Sequence, residues 1–333
     1  MPRIPYDDLF DHFHRVLGRV GFCADRSRDI ARIFADNTRD GVSSHGVNRF
    51  AGFVRDVHEG RVDRAASPRC VAKLGVLDQW DGMRGPGMLN ATAAMTRAIE
   101  IARERTLGGV ALRNTNHWMR AATYGILAAR AGCIGLSWTN TTKLMPPHGA
   151  VDKRLGNNPL CIAIPGPHDD PVVLDMAMSQ FSTGRTQTHQ RSGEPLPVPG
   201  GYDEEGELTT DANAVLHTGR PLPIGYWKGS GLALCLDLIA ALLSAGLTTR
   251  QLALQDREYS VSQLFLAIDL ASIGDPEAMQ QTVADTLDDL TTAHPAPGMR
   301  VGWPGLRTAE IRRRNLAAGV PVDEKIWKEI LAL

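Results

Sequence analysis

A helix begins in the stretch Val42-Ser43-Ser44-His45-Gly46-Val47-Asn48-Arg49-Phe50, and it supplies both core positions and candidate chemistry. Apolar side chains recur at helical spacing from Val47 to Val57, which predicts that one face of this helix is buried. Ser43 or Ser44 is expected to cap the free amides of the first turn. The first part of the chain is therefore expected to pack its core on one side of this helix.

His45 and Arg49 fall together on the opposite face, because side chains four residues apart are neighbours on a helix. An imidazole titrates near neutral pH and suits proton donation to a carbonyl oxygen, whereas a guanidinium can bind a carboxylate through two hydrogen bonds. The helix dipole should lower the pKa of His45 in the first turn. On the residues alone, a solvated helix face is the simpler interpretation of this pair.

The composition is that of an ordinary globular protein of 333 residues, with 36 basic and 37 acidic side chains. This length is enough for two packed units. The balanced charge and the lack of an evident membrane-spanning run predict no nucleic-acid and no membrane partner. The first residues lack the apolar segment of a signal peptide, so a cytoplasmic location is expected. The five cysteines form no paired motif, which predicts neither a disulfide framework nor a zinc site.

Periodicity predicts a mixed α/β fold in which helices pack on a sheet. Helices are predicted at about 6–20, 26–37, 45–60, 89–105, 121–131, 232–245, 276–293 and from 307 onward. Strands are predicted at about 71–80, 109–113, 133–139, 160–164, 172–176 and 263–270. The polar segment 180–223 is too long for a plain connector and is expected to cover a site or line an interface.

Several common site motifs are missing from the chain. No strand runs into Gly-x-Gly-x-x-Gly at a helix start, which disfavours a standard Rossmann domain, and motifs for phosphoryl transfer, serine hydrolysis and zinc proteolysis are absent. Lys228 precedes Gly229-Ser230-Gly231 at the start of an apolar helix, where an anion site and an ordinary Gly-rich cap remain equal alternatives. Asp175 lies inside an apolar strand and needs a partner if it is buried.

A set of short motifs covers nearly the whole chain in a fixed order. They are Ser44-His45-Gly46-Val47-Asn48-Arg49-Phe50, Asn116-His117-Trp118-Met119-Arg120, Met145-Pro146-Pro147, Asn158-Pro159-Leu160, Asp175-Met176 and Gly225-Tyr226-Trp227-Lys228-Gly229-Ser230-Gly231. This ordered set resembles the type 2 malate/L-lactate dehydrogenase family. The motifs Asn-His-Trp-Met and Gly-Tyr-Trp-Lys-Gly are most similar to those of the members that reduce 2,3-diketo-L-gulonate.

The resemblance implies an NAD(P)H-dependent reductase with a non-Rossmann fold that forms a homodimer. It implies a helical domain made of residues 1–70 and 283–333, and a mixed-sheet cofactor-binding domain made of residues 71–282. Similarity favours NADH. NADPH stays open because Arg185 or Arg307 could accept a 2′-phosphate, and because a Glu that is common near the Pro-Gly turn is absent from 304–307. Asn157 is a second departure, at a position where the family commonly has Thr.

The resemblance also assigns site residues, with no metal among the cofactors. It implies that His45 is the proton donor and that Ser44, Asn48, Arg49 and His117 lie near a sugar-acid substrate. It implies cofactor contacts from Pro171, Val172, Val173, Leu174, Asp175, Met176, Ala177, Trp227, Lys228, Gly305, Leu306 and Arg307.

The reaction implied is hydride transfer to the C2 carbonyl of 2,3-diketo-L-gulonate, with protonation of the new alkoxide by His45, which gives 3-keto-L-gulonate. One alternative is a reductase of the same family that acts on another 2-keto acid, such as the one that corresponds to malate or to sulfolactate. The same alternative includes action on ureidoglycolate or oxalurate, or on a cyclic ketimine. An alternative of another class is a non-catalytic sensor of sugar acids or nucleotides. The intact His45 and the lack of a recognisable output domain argue against the sensor.

Overall fold

The computed structural model describes residues 1–167 and 170–333. The helices are α1 Tyr6–Arg19, α2 Ala24–Arg39, α3 Val47–His58, α4 Gly87–Arg105, α5 Ala122–Arg130, α6 Thr183–Ser192, α7 Ala212–Thr218, α8 Trp227–Ser244, α9 Thr249–Leu252, α10 Pro276–Thr291, α11 Leu306–Ala318 and α12 Glu324–Leu331. The strands are β1 Arg3–Ile4, β2 Arg69–Leu74, β3 Leu77–Asp81, β4 Leu107–Thr115, β5 Cys133–Thr139, β6 Leu160–Ile164, β7 Val172–Met176, β8 Gly201–Tyr202, β9 Leu208–Thr209, β10 Val261–Asp269 and β11 Val320–Pro321.

The first three helices share a core with the C-terminal end of the chain. The rings of Phe13 and Phe50 stack with their centroids 4.2 Å apart, and Phe34 packs edge-on against both. Val320 and Ile330 are fully buried in the same cluster, and β1 pairs with β11. This core fixes α3, whose first turn carries Arg49. The domain limits at 70/71 and 282/283 stay a prediction, and α10 runs across the second of them.

A seven-stranded mixed sheet forms the other core, with the strand order β2-β3-β4-β10-β5-β6-β7. Of its neighbouring pairs, only β3 and β4 run parallel. Phe265 of β10 packs with α4 and α5, whereas its neighbour Leu264 packs with α8. Successive side chains of a strand point to opposite faces, so helices cover both sides of the sheet. The predicted mixed α/β fold is confirmed.

The structure corrects several boundaries. Residues 71–80 belong to two antiparallel strands, because the chain reverses at Gly75, whose φ of +68° suits a residue without a side chain. Segment 180–223 contains α6, α7 and the small β8–β9 pair. The strands predicted at 133–139, 160–164 and 172–176 are confirmed at both ends.

Helix α8 is the one helix, among residues 1–167 and 170–333, that is long and apolar enough to cross a membrane. The expectation that no apolar run has this length is therefore wrong. Ala233, Leu236 and Ala240 of this helix pack against the sheet. Other apolar side chains point outward, and Leu238 is 42% exposed and Leu242 is 74% exposed. The helix is thus a covering layer of the sheet that leaves an apolar face unpartnered.

Candidate active site

A cavity of about 1150 Å³ opens where several parts of the chain meet. They include the start of α3, the loop between β4 and α5, strand β7, helix α6, the loop between α9 and β10 and the start of α11. All five side chains expected to donate the proton or to lie near the substrate line this cavity, namely Ser44, His45, Asn48, Arg49 and His117. The fold therefore brings together motifs that lie far apart in sequence.

His45 lies in a 3-10 turn, Ser43–His45, directly before α3, and not on the helix itself. Helix α2 holds this turn in place, because Asn37 Nδ2 donates to the His45 carbonyl at 3.0 Å and Val47 N donates to Thr38 Oγ1 at 2.9 Å. Gly46 fits against Thr38 so closely that a Cβ there would overlap it.

The predicted serine cap is wrong, because the residue before α3 is Gly46 and the first amide of the helix, Val47 N, donates to Thr38 Oγ1 of α2. The Ser44 hydroxyl lies 3.1 Å from His45 Nδ1 instead. A hydroxyl at this distance can orient the imidazole. Ser44 therefore contacts the histidine in the cavity and does not cap α3.

The rings of His45 and His117 lie nearly parallel with their centroids 5.8 Å apart. Burial lowers the pKa of His45 to about 4, and the positive charges of Arg49 and Arg120 add to this effect. Burial lowers the pKa of His117 as well, again with a contribution from Arg49. The expected direction for His45 is confirmed, but its causes are burial and nearby cations. Both imidazoles are therefore neutral at pH 7 in the free protein.

Two of the arginines that line the cavity differ in whether a carboxylate neutralises their charge. Arg120 is buried and its guanidinium contacts Asp40 Oδ2 at 2.8 Å, while Asp40 also binds Arg312 at 2.7 Å. Burial opposes ionisation of Asp40, yet these arginines lower its pKa to about 2. Within the described parts of the chain, Arg49 forms no ion pair. Arg49 therefore presents an uncompensated cation to a ligand.

Asp175 points from β7 into the cavity wall, and it has the partner that its position requires. Its Oδ2 accepts a hydrogen bond from Ala122 N at 2.9 Å and lies 3.9 Å from Arg120 Nε. Burial raises the pKa of this carboxyl, and the charge of Arg120 and the Ala122 amide oppose the rise.

Most residues expected at the cofactor lie together. Pro171, Val173, Leu174, Asp175, Ala177, Gly305, Leu306 and Arg307 line the cavity. The Pro-Gly turn docks on β7, because Val173 N donates to Pro304 O at 2.8 Å and a Cβ on Gly305 would meet Pro171 O. Val172, Met176, Trp227 and Lys228 lie outside the cavity lining, and Trp227 is 64% exposed at the start of α8.

The comparisons with known proteins decide the family. The model of the malate/L-lactate dehydrogenase family matches residues 4–331. The chain belongs to the malate/L-lactate dehydrogenase family. It is 40% identical to a 2,3-diketo-L-gulonate reductase from Citrobacter koseri and 41% identical to one from Pasteurella multocida, over 99% of this chain and all of each relative.

Solved structures agree with this family assignment. A malate dehydrogenase from Entamoeba histolytica is 23% identical and superimposes with a TM-score of 0.93 over 99% of this chain and 96% of that chain, which supports the fold. A sulfolactate dehydrogenase from Methanocaldococcus jannaschii is 27% identical, with a TM-score of 0.89 over 99% and 95%. The predicted resemblance is confirmed. The chain is an oxidoreductase, and its family implies a nicotinamide cofactor.

The cavity of this dehydrogenase-family chain suits such a cofactor. Helix α11 begins in the cavity at Leu306 without a side-chain cap. Leu306 N donates to Trp303 O at 3.3 Å, but within the described residues the amides of Arg307 and Thr308 have no acceptor, so they can donate to a pyrophosphate. Arg307 adds positive charge at the same end, and the turn before it fits against β7 without room for a side chain at Gly305. These residues would hold the dinucleotide, and the bound nicotinamide would supply hydride.

Sequence reasoning missed several residues that line this cavity, and three of them lie near the side chains expected at the substrate. Arg120 was quoted within a motif but not given a role, and Thr141 and Glu258 were not singled out. Glu258 lies more than 200 residues from His45, in a loop with no recognisable motif. Only the packing of β10 beside β4 and β5 brings it to the site, so no local pattern could have identified it.

Proposed function

We propose that this enzyme reduces 2,3-diketo-L-gulonate to 3-keto-L-gulonate with NADH, and that His45 donates the proton. The observation that carries the proposal is His45 in one cavity with the unpaired Arg49 and with the residues that suit a dinucleotide. The names of relatives that are 40% identical over the whole chain support the substrate.

Arg49 binds the substrate carboxylate in this mechanism, which places the C2 carbonyl beside His45. A bound nicotinamide would supply hydride chemistry at C2, and the role of His45 is to protonate the oxygen of the new alkoxide from its imidazolium form. A bound carboxylate neutralises the Arg49 charge that lowers the pKa of His45, so substrate binding raises this pKa. This rise increases the protonated fraction of His45 when the substrate is present. The Ser44 hydroxyl and the neutral His117 ring orient His45 from two sides.

The preference for NADH rests on a carboxylate in the same cavity. Asp170 lines the cavity and binds Arg313 at 2.7 Å. A carboxylate accepts hydrogen bonds from ribose hydroxyls and repels a 2′-phosphate, as acidic residues do in many dinucleotide sites. Arg185 and Arg307 also line the cavity and would favour NADPH. Measuring KM for both cofactors decides between these groups.

We also propose a homodimer in which a second copy covers the exposed apolar face of α8. Leu234, Leu238 and Leu242 lie on this face, and the predicted cofactor contacts Trp227 and Lys228 lie at its beginning. A dimer through α8 would let these two residues contact the cofactor of the second copy. Leu238→Glu should give a monomer by analytical ultracentrifugation, whereas the buried face of α8 remains packed. A dimer that survives this substitution would place the interface elsewhere.

The helical unit of residues 1–70 and 283–333 and the sheet unit of residues 71–282 are proposed as the two domains of each protomer. The shared core of both chain ends supports the first unit, and the seven-stranded sheet with its helices supports the second.

The substrate is tested by a panel of three 2-keto acids and one cyclic ketimine with the wild-type enzyme. Oxidation of NADH and of NADPH is followed with 2,3-diketo-L-gulonate, oxaloacetate, sulfopyruvate and Δ1-piperideine-2-carboxylate. We expect the highest kcat/KM with 2,3-diketo-L-gulonate and NADH. A higher value with any other member of the panel would assign the enzyme to that substrate, and binding without turnover of any of them would support the sensor.

A further inference from the structure

Glu258 faces the same cavity as His45 and Arg49 and has no role in the mechanism above. It lies in the loop between α9 and β10, and contacts of the two residues that follow it hold this loop in place. The guanidinium of Arg84 lies over the Tyr259 ring at 5.1 Å, and Ser260 Oγ donates to Asn114 Oδ1 at 3.0 Å. The loop is therefore built to hold the carboxylate in place.

One carboxylate oxygen of Glu258 is occupied and the other is free. Oε2 accepts a hydrogen bond from Thr142 N at 2.8 Å. In the parts of the chain that the structure describes, Oε1 has no donor within hydrogen-bond distance. Burial raises the pKa of Glu258, while the Thr142 amide and the charge of Arg49 oppose the rise. The free oxygen can accept a hydrogen bond from a ligand in the cavity.

Neighbouring side chains extend this polar wall. Thr141 Oγ1 accepts from Asn157 N at 3.1 Å, and Thr141 N donates to Asn158 Oδ1 at 3.0 Å. Asn158 is fully buried and donates to Ala233 O at 2.8 Å, so the wall is anchored on α8. Asn157 and Thr141 both line the cavity beside Glu258. The wall therefore offers fixed hydrogen-bonding groups to a ligand.

Arg49 and Glu258 give the cavity a charge gradient. Their charges interact, but no ion pair joins them among the residues that the structure describes, and both line the cavity, so one ligand can contact both. A ligand with one carboxylate and a hydroxylated tail matches both groups, because the carboxylate binds Arg49 and a hydroxyl donates to Glu258. A ligand whose tail carries a second anion meets the carboxylate of Glu258, and such juxtaposition of like charges is a common means of rejection.

We propose that Glu258 selects polyhydroxylated 2-keto acids with a single negative charge, and rejects dianionic 2-keto acids, by accepting a hydrogen bond from a hydroxyl group of the substrate tail. This inference rests on the proposed function, whose substrate has such a tail. It adds a residue that determines specificity in the part of the site remote from His45.

The test compares Glu258→Gln with the wild type, using 2,3-diketo-L-gulonate and oxaloacetate as substrates. Glutamine keeps the shape and removes the charge. Loss of a hydrogen bond to a charged group should raise KM for 2,3-diketo-L-gulonate about tenfold and leave kcat within about twofold. Activity with oxaloacetate should rise, so the ratio of the two kcat/KM values should fall by more than about tenfold. Glu258→Asp, which keeps the charge, should still reject oxaloacetate.

Glu329→Gln is the matched control, because Glu329 is exposed on α12 and makes no side-chain hydrogen bond in the described structure. It should leave both substrates unchanged. Equal losses for both substrates in Glu258→Gln, or a fall in kcat at constant KM, would overturn the proposal and assign Glu258 a structural role.

Binding measurements separate this proposal from the proposed function. Calorimetric titration with L-gulonate and with L-malate, in the presence of NADH, gives the preference between a hydroxylated monoanion and a dianion without turnover. A wild type that prefers L-gulonate, and loses the preference in Glu258→Gln, supports the role of Glu258 even if 2,3-diketo-L-gulonate is not reduced. Equal binding of both probes to the wild type would overturn it.

Discussion

Replacing Arg49 with Met removes from the cavity a cation that forms no ion pair within the described structure, and it keeps an unbranched side chain on α3. Since Arg49 forms no ion pair within the described structure, no protein carboxylate loses its partner. A guanidinium that binds a carboxylate through two charge-assisted hydrogen bonds contributes about 3 to 6 kcal/mol. Arg49 is exposed to the cavity, so solvent screening favours the lower figure. A loss of about 3 kcal/mol predicts a fall in kcat/KM of about 100-fold.

Most of this loss should be an increase in KM, because the carboxylate binds equally in the ground state and the transition state. Steady-state oxidation of NADH with 2,3-diketo-L-gulonate measures both parameters. Arg55→Met is the control, since Arg55 is exposed on the same helix and lies outside the cavity lining. If Arg49→Met kept kcat/KM within about twofold of the wild type, Arg49 would not be the carboxylate ligand.

The same variant also tests the origin of the low pKa of His45. Burial is the larger cause and Arg49 the next, so the pKa should rise from about 4 in Arg49→Met but stay below the ordinary 6.5. Titration of the His45 ring by NMR measures this. An unchanged pKa would show that the charge of Arg49 does not reach the ring.

Three further predictions concern stability. His45 has a folded-state pKa of about 4, so its neutral form stabilises the fold above pH 6.5, and this contribution is lost as the pH falls toward 4. Between pH 7 and pH 4 the free energy of unfolding, measured in urea, should therefore fall by about 3 kcal/mol less in His45→Asn than in the wild type. An equal fall in both proteins would contradict the low pKa. Asp40→Asn leaves buried arginines uncompensated and should lower the free energy of unfolding by about 3 to 5 kcal/mol at pH 7. Asp29→Asn, at an exposed position, is the control and should leave it unchanged. Equal melting temperatures of Asp40→Asn and the wild type would show that the cluster of Asp40 and its arginines contributes little to stability. Gly46→Ala should lower the free energy of unfolding by about 1 to 3 kcal/mol and displace His45. Gly52→Ala, whose Cβ meets no atom within 4 Å, should leave the free energy of unfolding unchanged or raise it by about 1 kcal/mol. Equal free energies of unfolding for the two variants would refute the tight contact at Gly46.

The strands at 133–139, 160–164 and 172–176 could be predicted at both ends because apolar runs bounded by Gly, Pro and polar residues leave few alternatives for a buried strand. The hairpin of β2 and β3 could not, since its loose alternation continues across the reversal at Gly75. The expectation that no apolar run reaches membrane-spanning length was wrong for α8, because Lys228, the two glycines and Asp237 interrupt the apolar run in the sequence.

The site was predicted as a set of residues but not as a geometry. The pattern from Val47 to Val57 identifies α3, yet the position of His45 depends on contacts from Asn37 and Thr38 of the preceding helix. Local periodicity carries no information on such contacts. The same holds for the effect of Arg120 on His45 and for Glu258, which reach the cavity only through the arrangement of strands β4, β5 and β10.

The most direct test of the account is oxidation of NADH with 2,3-diketo-L-gulonate by the wild type and by His45→Asn, with NADH binding measured by fluorescence in both. We expect turnover by the wild type, a fall in kcat of about 100-fold or more in His45→Asn, and NADH binding that is equal in the two proteins. Turnover by His45→Asn at the wild-type rate would show that another group donates the proton and would contradict the central claim.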